Sequence, residues 1–244
     1  MAAALCLGLA WWLLAARSGG EVPGPVPVAR RLWLELTAGT LPEALVTTLG
    51  RATVGFLAAI VVGLLIGAAV AVSSPLRAGI GGLLAAVQTV PSVAWFPVVL
   101  VLLVPSEGAI LAVVVLGAAP AVATGLLTGV DRIPPNLHRA GHVLGAWGID
   151  RLRHVVLPGA LPNLVAGLSQ GWAFAWRALM AGELLVALDG RSSLGATLQA
   201  SQARDDATGL FAAMVVVVAI GLFVDEVLLR RVDRAVQRRW GLLG

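Results

Sequence analysis

Uncharged runs long enough to span a bilayer dominate this sequence and restrict the folds open to it. Residues 52–76, 78–106, 108–130 and 157–176 each form a run of 20 or more residues without a charged side chain. A helix needs about 20 residues to cross a hydrocarbon core of about 30 Å. Shorter runs lie at 207–224 and 1–16. Because the backbone must pair its own polar groups within lipid, this pattern predicts an all-α polytopic membrane protein with about six transmembrane helices.

The composition agrees with a membrane protein. Of the 244 residues, 59% are hydrophobic and 12% are charged, whereas a soluble domain carries about 25% charged residues. The single cysteine, Cys6, excludes an intramolecular disulfide. The run at 1–16 lacks the positively charged start of a signal peptide, so we expect a short first membrane helix there.

Arginine placement predicts the orientation of the chain. All 17 basic residues are arginine. With six spans, five arginines fall on one side (Arg17, Arg30, Arg31, Arg191, Arg204) and ten on the other (Arg77, Arg132, Arg139, Arg151, Arg153, Arg230, Arg231, Arg234, Arg238, Arg239). By the positive-inside rule the second side is cytoplasmic, which places both termini in the cytoplasm. Because the arginines stand at the ends of apolar runs, they indicate membrane topology and not a nucleic-acid partner.

Two prolines interrupt the third predicted span. Pro91 and Pro97 enclose Ser92 and Trp95 in the segment PSVAWFP. Broken helices at membrane depth are tolerated where they face protein or a water-filled cavity, and in transporters they mark the pathway. These four residues are therefore pathway candidates, with a purely structural kink as the alternative.

The fifth span carries two charges, Arg177 and Glu183, and charges within a membrane indicate function by default. They are six residues apart, so they do not share a helical face and we do not expect them to pair. With Trp176 they are further pathway candidates. Glu183 either shapes the pathway or stabilises helix packing; Arg177 either meets an anionic solute or reaches an interface or an acid. For Arg51, we expect a side chain that extends to the membrane surface.

Residues 131–156 form a polar segment between the fourth and fifth spans. Pro134 and Pro135 suit the start of a helix. Gly145 is placed to end that helix with a positive φ, and a second short helix is expected from Gly148. The segment is too polar for lipid, yet it carries an apolar stripe. It is therefore predicted to be a docking element on the cytoplasmic side.

This segment resembles the EAA loop of ABC-transporter permeases. The family pattern is Glu-Ala-Ala, three residues, Gly, nine residues, a β-branched residue, any residue, Leu-Pro. Here it reads Arg139, Ala140, Gly141, three residues, Gly145, nine residues, Val155, Val156, Leu157, Pro158. Arg139 and Gly141 stand where the family has glutamate and alanine.

Three further segments are similar to the branch of this family that imports sulfonates, taurine, nitrate and related solutes. They are TLGRATVGFLAAIVVGLLIG at 48–67, VPSVAWFPVVLVLL at 90–103 and AWRALMAGELL at 175–185, and the closing Arg239-Trp240 also matches. The resemblance covers about residues 43–240. It implies a permease core at 43–230, preceded by a membrane helix and outer connection at 1–42 and followed by a cytoplasmic tail at 231–244.

The resemblance implies a permease subunit with the type I ABC importer fold in a bacterial cytoplasmic (inner) membrane. Its implied partners are two copies of an ATPase, a second copy of itself, a solute-binding protein outside the membrane, and lipid. The EAA-like residues would dock the ATPase, which would bind ATP and magnesium. The sequence agrees, because a P-loop needs a lysine and this chain has none. No cofactor or catalytic residue is therefore expected in the chain itself.

The sequence leaves other functions open. His138 and His142 are four apart, but no cysteine or acid completes a zinc ligand set, so no metal site is predicted. An ion-coupled secondary transporter would use intramembrane charges such as Arg177 and Glu183. A membrane assembly or signalling subunit would need only the helix bundle.

Overall fold

A computed structural model describes residues 2–186 and 191–239, and in these residues the chain is helical without any β-strand. Besides its α-helices, the chain has a 3-10 turn at Ser92–Ala94 and π turns at Leu152–Val156 and Val224–Leu229. The helices are α1 (Ala2–Arg17), α2 (Pro25–Thr37), α3 (Thr40–Val72), α4 (Ser74–Thr89), α5 (Trp95–Leu102), α6 (Glu107–Asp131), α7 (Pro135–Val143), α8 (Gly148–Arg151), α9 (Leu157–Leu185), α10 (Leu194–Ala203), α11 (Ala207–Phe223) and α12 (Arg230–Arg239). The all-α prediction is confirmed.

Within residues 2–186 and 191–239, three helices are long and apolar enough to cross a membrane: Thr40–Val72, Glu107–Asp131 and Ala207–Arg238. The bent pair Pro75–Thr89 and Ser92–Leu102 adds a fourth span if it is counted as one. The expected number of six stays a prediction. Helix α1 has 16 residues, while α9 has 29 residues but carries several polar ones.

Helices α3, α6 and α9 form the centre of the molecule. Small residues allow them to approach closely: a Cβ atom on Gly63 of α3 would lie 2.6 Å from the carbonyl oxygen of Ala119 in α6. A Cβ on Gly129 of α6 would lie 2.5 Å from the carbonyl oxygen of Ala160 in α9. Such close backbone contact is typical of helix packing in membranes. The centre is therefore a tightly packed three-helix unit.

Helices α1, α2 and α11 meet on the side predicted to be outside, here called the outer side. Trp11 of α1 stacks on Phe211 of α11 with ring centroids 6.3 Å apart. In α2, Arg31 binds Glu35 at 2.7 Å and Asp206 at 3.3 Å, and the hydrogen bond that it donates to Glu35 raises the pKa of the Arg31 guanidinium. The opposite face of α2 exposes Trp33. Tryptophan side chains are enriched at membrane interfaces, as expected for this segment.

The third predicted span is broken at Pro91. Helix α4 ends at Thr89, and Pro91 has extended backbone angles. The following segment, Ser92–Leu102, makes an angle of 100° with Pro75–Thr89. Pro97 lies in the first turn of α5. Backbone N–H groups in the first turn have no intrahelical acceptor, so a proline there costs the helix no hydrogen bond. The interruption predicted from the two prolines is confirmed.

Candidate functional site

The polar segment folds as a helix, a turn and a second helix. Gly145 has a φ of +78° and follows the end of α7. Its N–H donates to the carbonyl of His142 at 3.1 Å, and the N–H of Ala146 donates to the carbonyl of Gly141 at 2.9 Å. These two bonds make a Schellman motif, in which the left-handed residue is usually glycine. The positive φ predicted for Gly145 is confirmed.

Gly141 explains one departure from the family pattern. A Cβ on Gly141 would lie 2.9 Å from the Cγ2 atom of Val155, which belongs to the π turn before α9. An alanine here would force one of the two segments to shift. Glycine therefore lets α7 pack directly on the turn that leads into α9.

The segment exposes apolar side chains on the predicted cytoplasmic side. We call five of them the coupling surface: Leu137, Val143, Leu144, Trp147 and Leu152, which are 48–87% exposed. Contiguous exposed apolar side chains outside lipid mark an interaction site.

A hollow of about 570 Å³ adjoins the coupling surface. Five predicted docking residues line this hollow: Ala140, Gly141, Gly145, Val155 and Pro158.

The other two predicted docking residues lie outside the hollow. Arg139 and Leu157 are both exposed beside it. All seven residues of the EAA-like pattern therefore gather at one place on the molecule.

The broken helix packs beside α6 and α9. A Cβ on Gly117 of α6 would lie 3.9 Å from the Cβ of Ser92 and 3.8 Å from the carbonyl oxygen of Phe174. Pro91 and Pro97 are exposed, and Ser92 and Trp95 are half-buried. The break therefore lies next to the outer half of α9.

Helix α9 exposes a polar face next to this break. Gln170 and Arg177 are exposed, Asn163 is half-buried, and the three residues follow one another at intervals of seven. Residues seven apart on an α-helix lie on nearly the same face. We call these three residues the polar stripe.

Within the polar stripe, the Nε of Arg177 donates to the carbonyl of Ala173 at 2.9 Å, and its guanidinium lies 4.8 Å from the ring centre of Phe174. Among the ion pairs of residues 2–186 and 191–239, none includes Arg177. Arg177 is therefore a charge within the predicted fifth span whose Nη groups are available.

Glu183 has a partner that its position in the sequence does not indicate. Its carboxylate is fully buried and accepts a hydrogen bond from Nη1 of Arg51 at 2.9 Å. The remaining edge of Arg51 binds Glu107 at 2.7 and 2.6 Å. The expectation that Arg51 extends to the membrane surface is wrong, because its side chain is only 8% exposed and is held by two acids.

Trp176 lies inside the protomer. It is 8% exposed and stacks on Trp172 with ring centroids 5.9 Å apart. Of the predicted pathway residues, Trp176 and Glu183 are thus buried. Within the described residues there is no group of three or more side chains that could hold a metal ion. The side chain of His138 and the residue Trp240 lie outside what the structure describes.

The comparisons with known proteins agree with this architecture. Residues 55–238 match the family described as binding-protein-dependent transport system inner membrane component. The taurine transport system permease protein of Escherichia coli is 31% identical over 195 residues, which cover 80% of this chain and 70% of that protein. The nitrate import permease protein of Synechococcus elongatus is 26% identical over 188 residues, covering 72% of this chain and 67% of that protein.

A solved structure has a similar fold. The MetNI methionine ABC transporter in inward-facing conformations aligns with a TM-score of 0.67 at 23% identity, covering 83% of this chain and 98% of that one. The family match extends over most of the chain and includes both the coupling surface and α9. The chain belongs to the binding-protein-dependent transport system inner membrane component family, and it is a permease subunit of an ABC importer in the branch that contains the nitrate and taurine permeases.

Proposed function

We propose that two copies of this chain enclose the pathway of an importer for a small anion, and that the polar stripe of α9 faces that pathway. The observation that carries this proposal is the exposed, unpaired Arg177 at membrane depth. A charge facing hydrocarbon costs about 2.5–3.5 kcal/mol even on the lowest scale, so such residues usually face a cavity. A second copy around a two-fold axis would supply the facing wall.

The contrast with α3 supports this orientation. The exposed residues of α3 include Val54, Leu57, Val61 and Leu65, which recur every three or four residues and are all apolar. That face suits contact with lipid. The exposed face of α9, in contrast, carries an amide and a guanidinium. The two helices therefore meet two different environments.

The guanidinium of Arg177 favours an oxyanion as the solute. Arginine presents donors in a fixed fork that matches planar and tetrahedral oxyanions. The contacts with Ala173 and Phe174 hold the side chain but use only its Nε and its face. Relatives whose names specify nitrate and taurine transport are consistent with a nitrate-like or sulfonate-like solute. Ser92, Trp95 and the two prolines at the break would line the same passage, whereas Trp176 and Glu183 stabilise the helix packing around it.

The coupling surface would receive the ATPase on the cytoplasmic side of a bacterial inner membrane. Its exposed leucine, valine and tryptophan side chains fit an apolar groove, and burying them would stabilise the complex. Each of the two copies would bind one ATPase subunit, which carries the ATP and magnesium. A binding protein would deliver the solute on the outer side, and both termini would lie in the cytoplasm.

Uptake by reconstituted liposomes tests this proposal. The chain and its ATPase are incorporated together, and ATP-dependent uptake of nitrate and of taurine is measured with the binding protein outside. We expect uptake only with ATP and the ATPase. Uptake by the chain alone, driven by an ion gradient, would instead establish a secondary transporter and overturn the proposal.

A further inference from the structure

The carboxylate of Glu183 joins three helices at the outer end of the molecule. Its Oε2 accepts a hydrogen bond from the backbone N–H of Gly195 in α10 at 3.0 Å, and the hydroxyl of Thr48 in α3 lies 2.9 Å from the same oxygen. Its Oε1 accepts from Arg51 of α3 at 2.9 Å. The hydroxyl of Thr48 in turn accepts the N–H of Leu194 at 3.0 Å. Both oxygens of a buried carboxylate are thus occupied.

Arg51 extends this network to a fourth element, α6. Its Nε and Nη2 form a bidentate pair with Glu107, the first residue of α6, and Arg191 binds the same carboxylate at 3.2 Å. Two arginines therefore face two glutamates, and the formal charge of the group is balanced. Buried charges of this kind are stable only when each has a partner, so removing one member leaves another unpaired.

The start of α10 fits against α9 without spare room. A Cβ on Gly195 would lie 2.2 Å from the Cβ of Glu183. The first N–H groups of a helix have no intrahelical partner, and here those of Leu194 and Gly195 are used by Thr48 and Glu183. Ser193 accepts the next one, from Ala196. The start of α10 is therefore fixed by hydrogen bonds and by contact.

We propose that Thr48, Arg51 and Glu183 are positioning residues that make the outer ends of α3, α6, α9 and α10 one rigid block. We call these residues with Glu107 and Arg191 the outer clamp. The inference rests on the proposed pathway between two copies. The outer clamp sets the position of the outer part of α9, where Arg177 lies six residues before Glu183.

Amide hydrogen exchange tests whether the hydrogen bonds of the outer clamp persist through the transport cycle. The complex with its ATPase is compared without nucleotide and trapped with ADP and vanadate, and overlapping peptides report the amides of Leu194 and Gly195. We expect both amides to exchange at least about 100-fold more slowly than in an unfolded peptide in each state. Loss of this protection in either state would show that the start of α10 separates from α3 and α9, and would overturn the inference.

A matched set of threonine variants separates positioning from general stability. Thr48→Val keeps the shape but removes the hydroxyl, so the Leu194 amide should exchange about tenfold faster and uptake should fall. Thr48→Ser should restore both. Thr53→Val is the control, since its exposed hydroxyl bonds only to the carbonyl of Leu49 in its own helix. Unchanged exchange and uptake in Thr48→Val would show that the clamp does not position α10.

The chain without its ATPase keeps this result separate from the proposed function. If the ATPase fails to bind or uptake fails in the wild type, the proposed function is wrong. Protection of Leu194 and Gly195 in the isolated chain would still report whether the clamp forms.

Discussion

Gly125 of α6 and Gly167 of α9 face each other so closely that a Cβ on either would lie within 2.7 Å of the Cα of the other. No side chain larger than hydrogen fits at this crossing without moving one helix. The contact holds α9, which carries the polar stripe, against the centre of the bundle.

The first prediction concerns this crossing. We expect Gly125→Ala to lower the free energy of unfolding by about 1–3 kcal/mol, because an added methyl forces the helices apart. The unfolding midpoint of the purified chain in detergent measures this effect. Gly79→Ala in α4 is the control: a Cβ there has no neighbour within 4 Å, so the methyl group contributes only the higher helix propensity of alanine and should not lower the midpoint. Equal midpoints for the two variants would contradict the packing described here.

The second prediction concerns the turn of the coupling segment. A Cβ on Gly145 meets nothing within 4 Å, so within this chain Gly145→Val acts through backbone strain and not through a clash. A β-branched residue at φ +78° costs about 1–2 kcal/mol or more, which is expected to open the turn between α7 and α8. We expect normal expression and dimer formation but loss of uptake and weak co-purification of the ATPase.

Asparagine tolerates the left-handed region better than other side chains do. Gly145→Asn should therefore recover most of the uptake lost in Gly145→Val. If the valine variant transports at the wild-type rate, the turn is not part of the coupling element.

The third prediction tests the direction in which the polar stripe faces. In a Cys6→Ser background, we expect Arg177→Cys to react with small charged thiol reagents at a rate that changes with nucleotide. Val61→Cys on the apolar face of α3 should stay unreactive in lipid. Complete protection of Arg177→Cys in every state would place α9 against lipid.

The fourth prediction concerns the solute. Arg177→Gln should raise the KM for nitrate and taurine uptake by about tenfold or more. The basal ATPase rate should stay the same, because Arg177 lies in the outer half of α9, away from the coupling surface. Arg177→Lys keeps the charge but loses the forked arrangement of donors, so its KM should lie between those of the wild type and Arg177→Gln. An unchanged KM in Arg177→Gln would exclude Arg177 from solute recognition.

The fifth prediction concerns the departure from the family pattern at Arg139. This side chain is exposed and does not line the hollow beside the coupling surface. We therefore expect Arg139→Glu to reduce uptake less than Gly145→Val does. A loss as complete as that of Gly145→Val, measured in the same liposomes, would show that Arg139 makes an essential contact with the ATPase.

Local features were the ones that the sequence could predict. The break at Pro91 and the turn at Gly145 depend on backbone restrictions of proline and glycine, which act within a few residues. The partner of Glu183 could not be predicted in this way. Arg51 is 132 residues away, and only the packing of α3 against α9 brings the two together. The single signal in the sequence was the presence of a second charge, Arg51, near the outer end of another span.

The polar stripe was visible only in part. Arg177 stood out as a charge within an apolar run, but Gln170 and Asn163 are neutral and give no such contrast. Their alignment became clear once the buried face of α9 was known, because burial shows which residues the protomer leaves uncovered.

The backbone is helical without a break from Gly148 to Leu185, through α8, the π turn and α9. At 1.5 Å per residue α9 alone is about 44 Å long, with the coupling segment joined to its first residue and the outer clamp near its last. A tilt of about 5° around its cytoplasmic end would carry the far end sideways by about 4 Å. A small rotation imposed on the coupling segment when the ATPase closes on nucleotide would thus produce a larger displacement at the outer end of α9. No unfolding of the helix is needed for this.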